Sequence, residues 1–468
     1  MRGLKVLLVS AALAAAGCNS TSSVVPPPTP SSGSPIKHII VMVQENRSFD
    51  NIFAGFPGAD TAMEGPCKPS PWCKGSHVVP LHSVKLESSG SPALGVDIDH
   101  SHHGFEIECD KNASGVCRND GFGSIRFGES GQSGQAKLYP YAYVDRAESK
   151  PYWDLAKQYA LADEMFFTET ASSFIAHQML VSGTVQINKG EWLTDQPNGF
   201  PWGCDAPPGT HTPVIFSNGK YSPNGPFPCY KYATMADLLD TAGVSWLYYV
   251  DAAVPPNVYG DFSGAVWNGY RTIHKIFYGP DWKSRISQPN TNIFKDLSGG
   301  TLPSVSWVIP SLYDSDHPAS GCNGGPLWVT KVVNAIGTSQ YWKDTAIVLL
   351  WDDWGGWYDN APPTQINPST LGFRVPAIVI SPYAKPGFIS NTHYDFGSIL
   401  KLMEETFNLG SLDVTDKSAA SMEDVFDFTQ SPNKFVAAPL PKAMPCAGQI
   451  TNPRQVQQLI QHDGGVPE

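Results

Sequence analysis

Five short apolar runs, at residues 36–43, 244–250, 305–309, 345–350 and 375–381, constrain this chain more than any other feature. Each has the length of a strand and none the period of a surface helix. Helical spacing follows at 232–242, 327–342 and 396–407, where Leu400, Met403 and Phe407 form one apolar stripe. Strand-like runs interleaved with helical segments predict an α/β fold, a sheet covered by helices. No internal repeat or linker follows residue 35, so residues 36–445 read as one large domain, with 446–468 as a C-terminal tail. The Gly/Pro/Cys-rich stretches around 56–150 and 185–230 read as long inserted loops.

Arg2 and Lys5 precede an apolar stretch that closes on small residues before Cys18, the pattern of a secretory signal over residues 1–18. Ala15-Ala16-Gly17-Cys18 has the form of a lipoprotein cleavage site, with Ala15 where that pattern usually has Leu. Lipidation of Cys18 is expected to hold the chain to a bacterial membrane facing the periplasm or exterior, with ordinary secretion as the alternative. The apolar stretch is too short to span a bilayer. Residues 19–35, rich in Ser, Thr and Pro, read as a semi-extended tether.

Nine cysteines become eight without Cys18, an even number that suggests disulfides in an exported chain. Sequence proximity favours Cys67 with Cys73, Cys109 with Cys117 and Cys204 with Cys229, leaving Cys322 for Cys446. A net charge of −12 and the lack of basic runs argue against nucleic acid as a partner.

Ligands of open α/β sheets gather beyond the carboxyl ends of the strands. The first run leads into Gln44-Glu45-Asn46-Arg47-Ser48-Phe49-Asp50, which sets a carboxylate beside an amide oxygen. Such oxygens suit a divalent cation. They equally suit a turn in which Asn46 and Asp50 cap backbone groups. The fourth run ends in Trp351-Asp352-Asp353-Trp354-Gly355-Gly356-Trp357-Tyr358-Asp359. Adjacent carboxylates at a buried strand end repel unless a positive group sits between them, and a metal is one such group. A solvated acidic turn is the other reading.

The segments IKHIIVMVQENRSFDNIFAGFPG, SWVIPSLYDSDHP, IVLLWDDWGGWYD and GFRVPAIVISPYAKPGFIS resemble the bacterial phospholipase C and acid phosphatase family of the alkaline phosphatase superfamily. The resemblance runs in the family's order from about residue 36 to 412. It implies a three-layer α/β sandwich, with a central, mostly parallel sheet, helices on both faces and long inserted loops. It also implies one divalent metal ion, with calcium, zinc, iron and manganese all open, and a Ser or Thr nucleophile. By motif position the metal ligands are Glu45, Asn46, Ser173, Asp352 and Asp353, and Asn46 also contacts phosphate. Ser173 takes the nucleophile's place, although the family's Gly-Pro-Ser/Thr-x-Pro is replaced here by Ala171, Ser172 and Ile175 around it.

The resemblance further assigns His317, in Asp316-His317-Pro318, to phosphoryl contact and leaving-group protonation. His274 falls where a further phosphate-contacting, catalytic histidine is expected. In Asp99-His100-Ser101-His102-His103 it implies substrate-binding histidines, His102 and His103 among them, and which of the three points inward stays open. Asn360 and Phe396 stand where relatives commonly have histidine. The implied activity is acid phosphatase-like hydrolysis of phosphate monoesters through a phosphoserine. Phospholipase C action on a phospholipid headgroup is the near alternative. A non-catalytic, lipid-anchored binding protein is the alternative from another class, and it leaves the two acidic strand ends unexplained.

Overall fold

The computed structural model describes residues 33–442 except 75–76, 87–96, 129–133, 254–260 and 319–323. The signal segment with Cys18, nearly all of the tether, the tail, and Cys322 with Cys446 lie outside the described residues.

An 8-stranded sheet organises the chain, in the spatial order Ile286–Ser287, Trp246–Tyr249, Val305–Val308, His38–Gln44, Thr345–Trp351, Ala377–Ile380, Ala160–Ala162 and Ile389–Ser390. All neighbouring pairs are parallel except those made by Ala377–Ile380, which runs against both of its neighbours. The two central strands, His38–Gln44 and Thr345–Trp351, are buried along their whole length, as a sheet covered on both faces requires. The covering helices pack as two groups. Arg146–Gln158 meets Gly325–Gly337, which also meets Asn292–Gly299, while Ser173–Ser182 meets Met235–Ala242 and Phe396–Phe407.

All five expected strands are present. The three further strands of the sheet are only two or three residues long, too short to show a period. The helix expected at 232–242 begins at Met235, because Thr234 and Asp237 close a capping box there. Cys67–Cys73, Cys109–Cys117 and Cys204–Cys229 are paired as expected. Among the described residues no helix is long and apolar enough to cross a membrane.

Two buried polar clusters fix the loops that leave the central strands. Arg374 donates through Nε to Asp359 Oδ1 at 2.8 Å, through Nη1 to the Asp163 carbonyl at 2.9 Å and through Nη2 to Asn360 Oδ1 at 2.6 Å. Its guanidinium lies 4.5 Å from the ring centre of Phe49. Asp50 accepts the N–H groups of Ala62 and Asn360, and Asp359 Oδ2 accepts that of Asp50. Asp50 therefore joins the loop after the first strand to the loop after Asp352-Asp353, a structural task.

Glu169 forms the second cluster, accepting from Ser369 and Thr370. Burial pushes its carboxyl up from 4.5 to about 8. Because the folded value lies above the unfolded one, the neutral acid's contribution to stability is complete below about pH 4.5 and is lost as pH rises through about 8. Glu169→Gln is expected to remove this slope, so that its melting temperature rises relative to the wild type between about pH 5 and 8. Parallel melting profiles in a thermal scan would show that Glu169 is already ionised in the fold.

Candidate metal and phosphoester site

Register assembles the acidic group. Gln44 lies opposite Trp351 in the parallel pair, so the residues that follow each strand emerge side by side. The pairing continues past the strand ends, with Asp352 N donating to the Gln44 carbonyl at 2.9 Å and Arg47 N to that of Asp353 at 3.0 Å. Asn46 N donates to Asp352 Oδ1 at 2.9 Å, and Gly355 N to Asp353 Oδ1 at 2.7 Å. Asn46 adopts φ 55°, a left-handed position that asparagine tolerates. Gly355 has φ 60°, and a Cβ there would stand 2.3 Å from the Asn46 carbonyl oxygen.

Gly355→Ala is therefore expected to cost roughly 1–3 kcal/mol and to displace Asn46 and Asp353 together. Thermal melting and metal uptake should both fall. Metal uptake at the wild-type level would show that the acidic group does not depend on this close approach.

A third element completes the group. Ser173 opens the 10-residue helix Ser173–Ser182, every residue of which is buried. Trp307 ties the helix to the sheet by donating to the Leu180 carbonyl at 3.0 Å. Ser173 and His177 are one turn apart and share a face. The two strand ends and the helix thus each contribute twice, giving two adjoining sets. In one, His177 Nε2 is 3.1 Å from Glu45 Oε1 and 3.9 Å from Asp352 Oδ2. In the other, Ser173 Oγ is 3.1 Å from Asp353 Oδ2 and 3.3 Å from Asn46 Oδ1. Glu45, Asn46, Ser173, Asp352 and Asp353 are all 0% exposed.

Histidines close a further side. His100 donates from Nδ1 to the Ile98 carbonyl at 2.7 Å, which leaves Nε2 to accept from Asn46 Nδ2 at 3.0 Å. The same Nε2 is 4.0 Å from Asp353 Oδ2. Asp97 lies between two imidazoles, 3.8 Å from His100 Nδ1 and 4.0 Å from His317 Nε2. Gln44 and Arg47 hold the His317 loop, since Asp316 N donates to Gln44 Oε1 and Arg47 Nε to the Asp316 carbonyl, each at 2.9 Å. The Trp267 ring is a common wall, with its centre 6.3 Å from that of His177 and 5.8 Å from that of His317.

A family model described as the Phosphoesterase family matches residues 36–410. The chain belongs to the phosphoesterase family. It is accordingly a hydrolase acting on phosphoester bonds. Phospholipase C B of Mycobacterium tuberculosis is 26% identical to it, over 87% of this chain and 80% of the relative. Non-specific phospholipase C6 of Arabidopsis thaliana is 24% identical, over 92% of this chain and 80% of the relative. Among solved structures, a protein in the alkaline phosphatase superfamily from Vibrio parahaemolyticus aligns with a TM-score of 0.34 at 11% identity, covering 59% of this chain and 65% of that one.

In this phosphoesterase three of the expected histidines lie apart from the acidic group. His274 is exposed, lies with its ring centre 5.0 Å from that of Tyr278 at a tilt of 57°, and lines a surface groove with Lys231, Asp237 and Lys275. It begins the short helix His274–Phe277, in which His274 and Lys275 are exposed while Ile276 is buried, so it is not brought to the acidic group. His103 is also exposed. His102 is buried, but its Nδ1 meets Thr170 Oγ1 at 2.8 Å and burial holds its imidazole down to about 4. Both line an outer groove of about 690 Å³ with Lys111, Tyr221 and Ile366. The inward-facing member of that segment is His100, because Ser101 caps the helix His102–Cys109 and turns the chain between them. His177 and Asp97 were not anticipated. His177 carries a readable signal, the four-residue spacing from Ser173, whereas nothing local marks Asp97.

Proposed function

We propose that this enzyme is a metal-dependent phosphodiesterase of the phospholipase C type, with Ser173 as nucleophile. The observation that carries the reading is Ser173 Oγ, buried at a helix N-terminus within 3.1 Å of Asp353 and 3.3 Å of Asn46. Relatives that match most of the chain are phospholipases C, which favours a phosphodiester substrate. The acidic pair Asp352-Asp353 favours the second reading, acid phosphatase action on monoesters.

The donor set fits a divalent cation. Glu45, Asp352 and Asp353 are three fully buried carboxylates in one group, and Asp352 Oδ2 accepts no hydrogen bond. Carboxylates so placed call for a cation. Glu45, Asp352 and His177 would hold it on one side, with Asn46, Asp353 and Ser173 adjoining. A bound divalent cation supplies Lewis-acid stabilisation of charge on the phosphoryl oxygens.

The chain's own groups account for the remaining steps. Ser173 Oγ attacks phosphorus and its proton passes to Asp353 Oδ2, while the helix N-terminus favours the developing negative charge. The bond from phosphorus to the leaving oxygen breaks, and His317 donates the proton which that oxygen needs. Asn46 and His100 orient the phosphoryl group. Water then cleaves the bond between phosphorus and Ser173 Oγ in the resulting serine phosphodiester, with His317 taking the water's proton and Ser173 regaining one from Asp353, and the phosphomonoester leaves.

The test is hydrolysis of p-nitrophenylphosphorylcholine and p-nitrophenyl phosphate side by side, with and without chelator. Turnover of the phosphorylcholine ester, lost with chelator and restored by metal, is expected. Turnover of the monoester alone would establish the second reading. Failure to turn over either, with several metals resupplied, would count against both substrate readings.

A further inference from the structure

We propose that the cation site of this chain selects a first-row transition ion of the zinc class over calcium and magnesium, and that His177 is the ligand responsible. The inference rests on the metal-dependent reading above and adds the class of ion.

Glu45, His177 and Asp352 each offer one ligand atom, and these atoms lie within 4.8 Å of one another, all three residues being buried. The two separations involving His177 Nε2, 3.1 and 3.9 Å, bracket the spacing of about 3.4 Å between ligands at 2.1 Å in tetrahedral geometry. Distance alone does not separate ions, because calcium coordination spans a similar range. Ligand chemistry does. Calcium and magnesium take oxygen donors, whereas imidazole suits zinc and its neighbours. Two carboxylates and one imidazole also match the three-protein-ligand pattern that leaves a position for substrate.

The imidazole is fixed in place. Its helix is buried throughout, its ring lies nearly parallel to that of Trp267 at 22°, and a Cβ on Gly269 would stand 2.3 Å from its carbonyl oxygen. The contrary account is a buried ion pair, His177 protonated against Glu45, with no part in metal binding. The two accounts differ in what replacing His177 does to metal affinity.

The experiment is calorimetric titration of metal-depleted, full-length mature protein with Zn²⁺, Mn²⁺, Ca²⁺ and Mg²⁺, repeated on His177→Asn. The expected result is Zn²⁺ bound on the order of 100-fold more tightly than Ca²⁺ by the wild type, a preference lost in the variant while Ca²⁺ affinity changes little. Equal affinity for Zn²⁺ and Ca²⁺ in the wild type overturns the proposal, as does unchanged Zn²⁺ affinity in a folded His177→Asn. The wild-type ratio decides by itself if the variant does not fold. Binding needs no turnover, so selective Zn²⁺ uptake without hydrolysis would count against the phosphodiesterase reading alone. Calcium-supported hydrolysis would count against this inference alone.

Discussion

Ser173→Ala is expected to lower kcat/KM for a phosphate ester by at least about 10⁴-fold while folding is unchanged. The side chain is 0% exposed and its hydroxyl reaches Asp353 Oδ2 and Asn46 Oδ1. Removing one oxygen leaves a small space and takes away the atom proposed to form the covalent bond. Glu45, His177 and Asp352 do not include Ser173, so metal uptake should largely survive. Steady-state kinetics, metal analysis and a melting curve on the same preparation check all three. Activity within tenfold of the wild type would remove Ser173 from the nucleophile's role.

The largest effect on stability is expected from Arg374→Met, which should cost about 3–5 kcal/mol by leaving buried carboxylates without their counter-charge. Arg374 is 0% exposed, and attraction to Asp359 and Asp50 outweighs the desolvation that would otherwise lower its proton affinity. Burial already pushes Asp50 and Asp359 upward, and Arg374 opposes that shift at both. In the variant both carboxyls should rise further above their unfolded values. Stability held by their neutral forms is present below about pH 4 and is lost as pH rises through the folded values. The variant's deficit in a urea titration should therefore be smallest in acid and largest near neutrality. A deficit that does not vary with pH would mean that packing, not charge, is what Arg374 contributes.

The sheet was legible because its long central strands are nearly continuous apolar runs, and a run such as 345–350 has few other uses. The edge strands were not, since Ile286–Ser287 and Ile389–Ser390 are defined only by the neighbours they pair with. The acidic group was readable for a related reason. Chain direction makes polar residues after parallel strands converge, so Glu45-Asn46 and Asp352-Asp353 needed only register to meet. The carboxylates' separate tasks were hidden. Asp50 and Asp359 belong to the same two motifs yet serve Arg374 and backbone N–H groups, a difference set by where their loops turn.

Histidines were the least legible part. A lone histidine has no period, and its role depends on one side-chain direction. His100 and His102 are two residues apart, and the cap at Ser101 sends one to Asn46 and the other to Thr170. His274 resembled a phosphate contact only through its neighbours in sequence, and its helix turns it to solvent. His177 was accessible in principle, because a helix that starts at the buried Ser173 presents its fourth following residue on the same side.

The most direct test of the account is acid quenching during turnover of p-nitrophenylphosphorylcholine, followed by peptide mapping for a covalent phosphoryl adduct. The account predicts a phosphorylcholine group on the peptide spanning Ser173, absent from Ser173→Ala and from chelator-treated protein. A stable adduct on another residue, or multiple-turnover hydrolysis without an adduct under conditions that preserve phosphoserine, would contradict it.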